Sequence, residues 1–214
     1  LLTLTLLTAF ANTPIVTVGT DLVAGAPTRT SKAENAWVPV LADCLEEGRL
    51  KRVSVVDRSR GELTAASLKA DVGALRDLDP AAIVIGIGAH ETDLDPTVFQ
   101  DQVAEVVQLL RRDDGPQVYL VGLVAPTLAQ VPGAEAADQQ TRDAAVEPMN
   151  AALEQVAAAD DGVWRVDLWA AWPREAAERA AMTDGGFALT DRAHARVGAV
   201  ICEQILSNLR NRRK

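Results

Sequence analysis

A chain of 214 residues has room for one α/β domain of ordinary size, and 48% hydrophobic against 24% charged residues excludes wholesale disorder. Only 4% of residues are aromatic, so the core must be built from Ala, Val and Leu. A formal net charge of −9 argues against a nucleic-acid groove, and a total of two histidines confines any imidazole chemistry to His90 and His194.

Residues 1–10 are uncharged and mostly apolar. Leu2-Thr3-Leu4-Thr5-Leu6 alternates as a strand does, while Ala9-Phe10-Ala11 fits a small-x-small cleavage pattern with no basic segment before it. We read 1–13 as an extra strand or a signal remnant and 14–214 as one domain, with the cytoplasm slightly favoured over export. Ile15-Val16-Thr17-Val18 then reads as a buried strand ending at Gly19. Trp37, Val40, Leu41, Cys44 and Leu45 recur at helical spacing and predict a helix over 34–45. A strand over 52–56, a helix over 64–75 and a continuous apolar strand over 82–87 follow. The next helix, over 97–112, stops at Gly115-Pro116, and a strand over 117–123 leads into a loop rich in Pro, Gly and Ala up to 141. The chain ends with a helix to 159, a strand over 163–166, a helix over 169–181 and a last helix over 191–209. Strands that alternate with helices mean a parallel sheet covered on both faces, so the expected fold is a single-domain, three-layer α/β/α sandwich. No stretch approaches the 18 apolar residues of a membrane span. Cys44 and Cys202 show no metal-ligand spacing and lie in apolar helical stretches. They read as buried free thiols, with a disulfide between the first and last helices as the alternative for an exported chain.

In such a sheet, function gathers past the carboxyl ends of the strands. Four segments lie there: 19–22, 57–62, 88–91 and 183–191. In their order and spacing these segments resemble the sequence blocks of the SGNH (GDSL) hydrolases. Where that family has Gly-Asp-Ser-Leu-x-x-Gly, this chain has Gly19-Thr20-Asp21-Leu22-Val23-Ala24-Gly25, and Ala36-Trp37-Val38-Pro39-Val40-Leu41-Ala42 is similar to the helix that follows. The oxyanion glycine falls on Gly61, and Gly-x-Asn-Asp on Gly88-Ala89-His90-Glu91. Met149-Asn150-Ala151-Ala152-Leu153 and Val166-Asp167-Leu168-Trp169 are similar to a later helix and the fifth strand. The Asp-Gly-x-His block overlays the run from Gly185 to His194.

The resemblance implies a five-stranded sheet of flavodoxin-like order, with the first strand between the second and third. It also implies a Ser nucleophile, an oxyanion Asn, an Asp and a His at positions 21, 90, 185 and 188. Those positions hold Asp21, His90, Gly185 and Ala188, and a one-residue slide brings Asp184 to the acid position without supplying a His. A carboxylate at 21 is a weak nucleophile toward esters and repels a neighbouring oxyanion, and an alanine accepts no proton. His194 matches a second, non-catalytic histidine; with Asp191 as N-cap it reads as packed or solvated.

No intact catalytic set is therefore expected, only pocket residues Asp21, Ser59, Gly61 and His90. The expected function is that of a hydrolase-like protein without its triad, a binding or structural module for an acyl or glycan ligand, with no cofactor and no metal. Asp21 and His90 are expected to form an ion pair that closes the pocket. One alternative is an esterase or acyltransferase with a relocated Ser59, His90 and Asp21 set; another is a metal site at Asp21, His90 and Glu91. Arg58 and Arg60 are expected to pair with Asp57 and Glu62. Trp169 and Trp172 read as core rather than as a groove shared with Phe187.

Overall fold

A computed structural model describes residues 13–20, 36–48, 53–60, 63–124, 136–184 and 188–211. Strands β1 (Ile15–Gly19), β2 (Val55–Asp57), β3 (Ala82–Gly86), β4 (Gln117–Val121) and β5 (Val163–Val166) form one sheet of order β2-β1-β3-β4-β5. Every pairing in it is parallel, with Ile15 opposite both Val55 and Ala82 and with Val118 opposite Val163. The doubly wound order implied by the resemblance is the one observed.

Period-two alternation divides the core into two layers. Val16, Val18, Ile83, Ile85, Val118 and Leu120 pack on one face against α2 (Ala65–Arg76), α3 (Pro96–Arg111) and α4 (Ala136–Ala158). Ile15, Val84, Tyr119 and Val121 pack on the other face against α1 (Trp37–Glu47) and α7 (Asp191–Asn211). Helix starts follow local chemistry. Thr64 and Ser67 form a reciprocal capping box at α2, and Asp95 accepts the Thr97 N–H at 2.8 Å with Pro96 at the first helical position of α3.

Several boundaries differ from the expected ones. One helix over 169–181 is instead two, α5 (Leu168–Ala171) and α6 (Ala176–Ala180), because Pro173 supplies no N–H and holds Trp172 in an extended conformation. α4 begins at Ala136, inside the expected loop, where Ala136, Ala137, Gln139 and Gln140 are good helix formers and no proline follows until Pro148. β2 is shorter than predicted, although Arg58 N–H to Thr17 O and Arg60 N–H to Gly19 O extend its ladder. The late loop contains an antiparallel ribbon of β6 (Thr183–Asp184) and β7 (Ala188–Leu189). Residues 1–12 lie outside the described residues.

The free-thiol reading is overturned. Cys44 on α1 and Cys202 on α7 form a disulfide with a Cα–Cα distance of 6.3 Å, across 158 residues of chain. Sequence spacing could not reveal it, because the two helices meet only when the sheet brings them to the same face. Among the described residues, no helix is long and apolar enough to cross a membrane.

Candidate functional site

The carboxyl ends of β1, β3 and β4 converge on a cavity of about 30 Å3. Its walls are Thr20 beyond β1, Ile87 and Ala89 beyond β3, Val121 to Val124 on β4 and its exit, and Leu168, Leu189 and Val197 from the α7 side. Thr20 is held on the sheet by its N–H to Gly86 O at 3.0 Å; it is fully buried, and its Oγ1 has no hydrogen-bond partner. Gly88 takes φ 106°, and a Cβ there would lie 3.0 Å from Leu123 and 3.1 Å from Phe99, so the turn after β3 requires glycine on both counts. Asn150, buried on α4, accepts the Leu123 N–H at 2.8 Å and donates to Leu123 O at 3.0 Å, which fixes the cavity wall at the β4 exit. In the sequence Asn150 is marked only as a polar residue between Met149 and Leu153, within the block similar to a later family helix.

The turn at Gly88 sends two adjacent side chains to different surroundings. His90 is exposed, whereas Glu91 is 2% exposed and accepts the Ala65 N–H at the start of α2 at 2.8 Å. Burial pushes the Glu91 carboxyl above its usual value, opposed by the N–H groups of Ala65 and Gly88 and by the charge of His90. Its Oε2 is buried with no partner. Ser59 Oγ is likewise buried without a hydrogen-bond partner, so it makes no hydrogen bond to His90. The Ser59 N–H is engaged by Asp57, which also accepts the Thr17 hydroxyl at 3.0 Å. Asp21 and Gly61, and with them the Asp21–His90 pair, lie outside the described residues. Among the described residues, no three His, Cys, Asp or Glu side chains gather as a metal site would need.

Arg60 pairs with Asp71 on α2, while Asp57 accepts from the Thr17 hydroxyl and the Ser59 N–H; Glu62 lies outside the described residues. His194 is packed: it is 1% exposed, neither ring nitrogen has a partner, and burial lowers its pKa against the pull of Asp191. The α7 N-cap is Thr190 rather than Asp191, since Thr190 O and Oγ1 accept from His194 and Ala193. Trp172 is core, while Trp169 lies half-buried with the guanidinium groups of Arg174 and Arg179 over its ring at 4.5 and 5.3 Å. In the ribbon, Asp184 pairs with Ala188. Residues 185–187 lie outside the described residues.

The model of the GDSL-like lipase/acylhydrolase family matches residues 17–196. The chain belongs to that family. No curated protein is a significant sequence match. Solved structures share its fold: TesA superposes with a TM-score of 0.70 at 20% identity, covering 91% of this chain and 99% of its own. A lipase/acylhydrolase from Enterococcus faecalis gives 0.71 at 17% identity, with 91% and 95% covered. The psychrotrophic esterase EstA from Pseudoalteromonas sp., described as inhibited by monoethylphosphonate, gives 0.67 at 14% identity, with 91% and 97% covered. At these identities the likeness establishes the fold, and function must be argued from the site.

Proposed function

We propose that this family member lacks the hydrolytic machinery and binds the apolar end of a small acyl compound at the carboxyl edge of its sheet. Ala188 carries the reading: a methyl side chain stands where the resemblance requires a general base, and an ester hydrolase of this design cannot deprotonate its nucleophile without one. Neither of the two histidines replaces it. His194 is sealed in the core and His90 is exposed with no bond to Ser59.

The cavity supports an acyl ligand over a glycan. A glycan needs several hydrogen-bonding groups, whereas the described walls are aliphatic apart from the Thr20 hydroxyl and the backbone. An ionised carboxylate would find no cation among those walls and would lose its hydration without compensation. A volume of about 30 Å3 suits a couple of waters or the tip of an alkyl chain. Each buried methylene then contributes about 0.8 kcal/mol, and Thr20 Oγ1 supplies one hydrogen bond.

Titration with methyl butyrate, followed through the methyl NMR signals of Val121, Leu189 and Val197, tests this. Saturable shifts at those methyls, abolished in Val197→Phe, with the ester recovered intact, are expected. Shifts that are absent, or unchanged in Val197→Phe, would overturn the binding site. Hydrolysis of the ester during the titration, lost on replacing Ser59 or His90, would favour the relocated catalytic set.

A further inference from the structure

Three pairs of residues meet along the contact between α1 and α7. A Cβ on Gly198 would stand 2.8 Å from Val40 Cγ1 and 2.9 Å from Trp37 O, and a Cβ on Gly48 would stand 2.7 Å from Leu206 Cδ1. Between them lies the Cys44–Cys202 bond. Positions 40, 44 and 48 face 198, 202 and 206, advancing by four on both sides. This is one seam between helices that run parallel, built on the i, i+4 ridges. The disulfide has a glycine contact on either side of it: Gly48, which caps α1, makes room for the Leu206 side chain, and Gly198 on α7 lets the Trp37 carbonyl come close. Cys202 is fully buried, and Leu41, Leu45, Ile201 and Ile205 pack in the same layer.

We infer that this chain folds and works in a disulfide-forming compartment, with Cys44–Cys202 as a permanent staple between its first described helix and its last. The step is a two-electron oxidation. Each thiol gives up one proton and one electron, the sulfur–sulfur bond forms, and both protons and both electrons pass to the disulfide of a thiol–disulfide exchange protein, which becomes a dithiol. In a reducing cytoplasm, glutathione and thioredoxin systems keep such pairs as thiols, so the staple places the chain outside it, against the compartment the sequence slightly favoured. A cross-link spanning 158 residues restricts most of the unfolded chain, which is where a disulfide acts most strongly in the chain-entropy account. The same bond anchors α7, which carries Val197 on the cavity wall.

Acid-quenched cells of the source organism, denatured and treated with a maleimide before and after reduction, give the direct test. No maleimide on the full chain before reduction and two after, with the chain outside the cytosolic fraction, is the expected result. Two additions before reduction, or a cytosolic chain, would overturn the inference. Melting of the purified oxidised protein with and without a phosphine reductant tests the staple without a variant that could fail to fold. A fall of roughly 10 °C on confirmed reduction is expected; an unchanged melting temperature in the fully reduced protein would overturn its stabilising role.

Discussion

Glu91 Oε1 accepts the backbone N–H of Ala65 at 2.8 Å, so the turn that follows β3 is tied to the first residue of α2 by a carboxyl group that is almost wholly out of solvent. The helix N-terminus favours the charge, but burial outweighs that help and raises the pKa above the ordinary value of 4.5. The folded state therefore holds this proton more tightly than the unfolded one. The associated stability is complete below the ordinary value and is lost as pH rises through the raised one. Glu91→Gln keeps an acceptor for Ala65 and removes the charge, so it should unfold at higher urea than the parent at neutral pH. The difference should shrink on acidification, as urea midpoints measured from pH 4 to 8 would show.

His194 has the opposite sign. Burial lowers its pKa below 6.5, so between the folded and unfolded values the unfolded chain binds the extra proton. Its stability is complete above 6.5 and is lost as pH falls toward the lowered value. His194→Leu removes two buried nitrogens that have no partner and should raise stability by about 1 kcal/mol at neutral pH. It should also flatten the acid limb in the same urea series. Because the Glu91 and His194 slopes oppose each other, the single variants expose what the parent profile partly cancels.

Gly198 is the tightest point of the α1–α7 seam that involves backbone, since Trp37 O as well as Val40 blocks any side chain there. Gly198→Val should cost about 1–3 kcal/mol by overpacking. For a domain of this size that is a fall of about 2–4 °C in melting temperature for each kcal/mol. Adding Val40→Ala should restore part of the loss and not all of it, because the carbonyl of Trp37 remains. Calorimetry of the two variants checks this.

Arg179 ties three elements together. Its guanidinium reaches both oxygens of Asp143 on α4 at 3.1 and 2.8 Å, donates to Pro173 O and covers the Trp169 ring, while the residue is 5% exposed. Arg179→Met should cost about 3 kcal/mol, the lower end of the range for a broken buried pair, because Asp143 keeps partial contact with solvent. Arg179→Lys should recover little, since an ammonium cannot reproduce the planar fork. Urea denaturation at neutral pH distinguishes the outcomes.

The sheet was legible because its signals are local. The apolar run over 82–87 and the strand over 163–166 needed only alternation and breakers to be placed, and Val163–Val166 matches residue for residue. The break at Pro173 was equally local and could have been read from that proline alone. What stayed hidden depends on distance in sequence. Cys44 and Cys202 become partners only after the sheet orders itself, and Arg60 finds Asp71 on α2 while Asp57 is held by Thr17. Glu91 looked like a possible metal ligand in a short motif; its commitment to Ala65 is a tertiary fact. At the site, the substitutions at 21, 90, 185 and 188 could be read against the family's blocks, whereas the apolar cavity and the Asn150 clamp could not.

A chain without its general base should not hydrolyse esters. Purified oxidised protein, with Asp21→Ala, Ser59→Ala and His90→Ala prepared alongside, should be assayed against 4-nitrophenyl acetate and butyrate across pH 6 to 9. All four proteins should match the buffer rate. Turnover above buffer by the parent chain that disappears in any one of the three variants would contradict it.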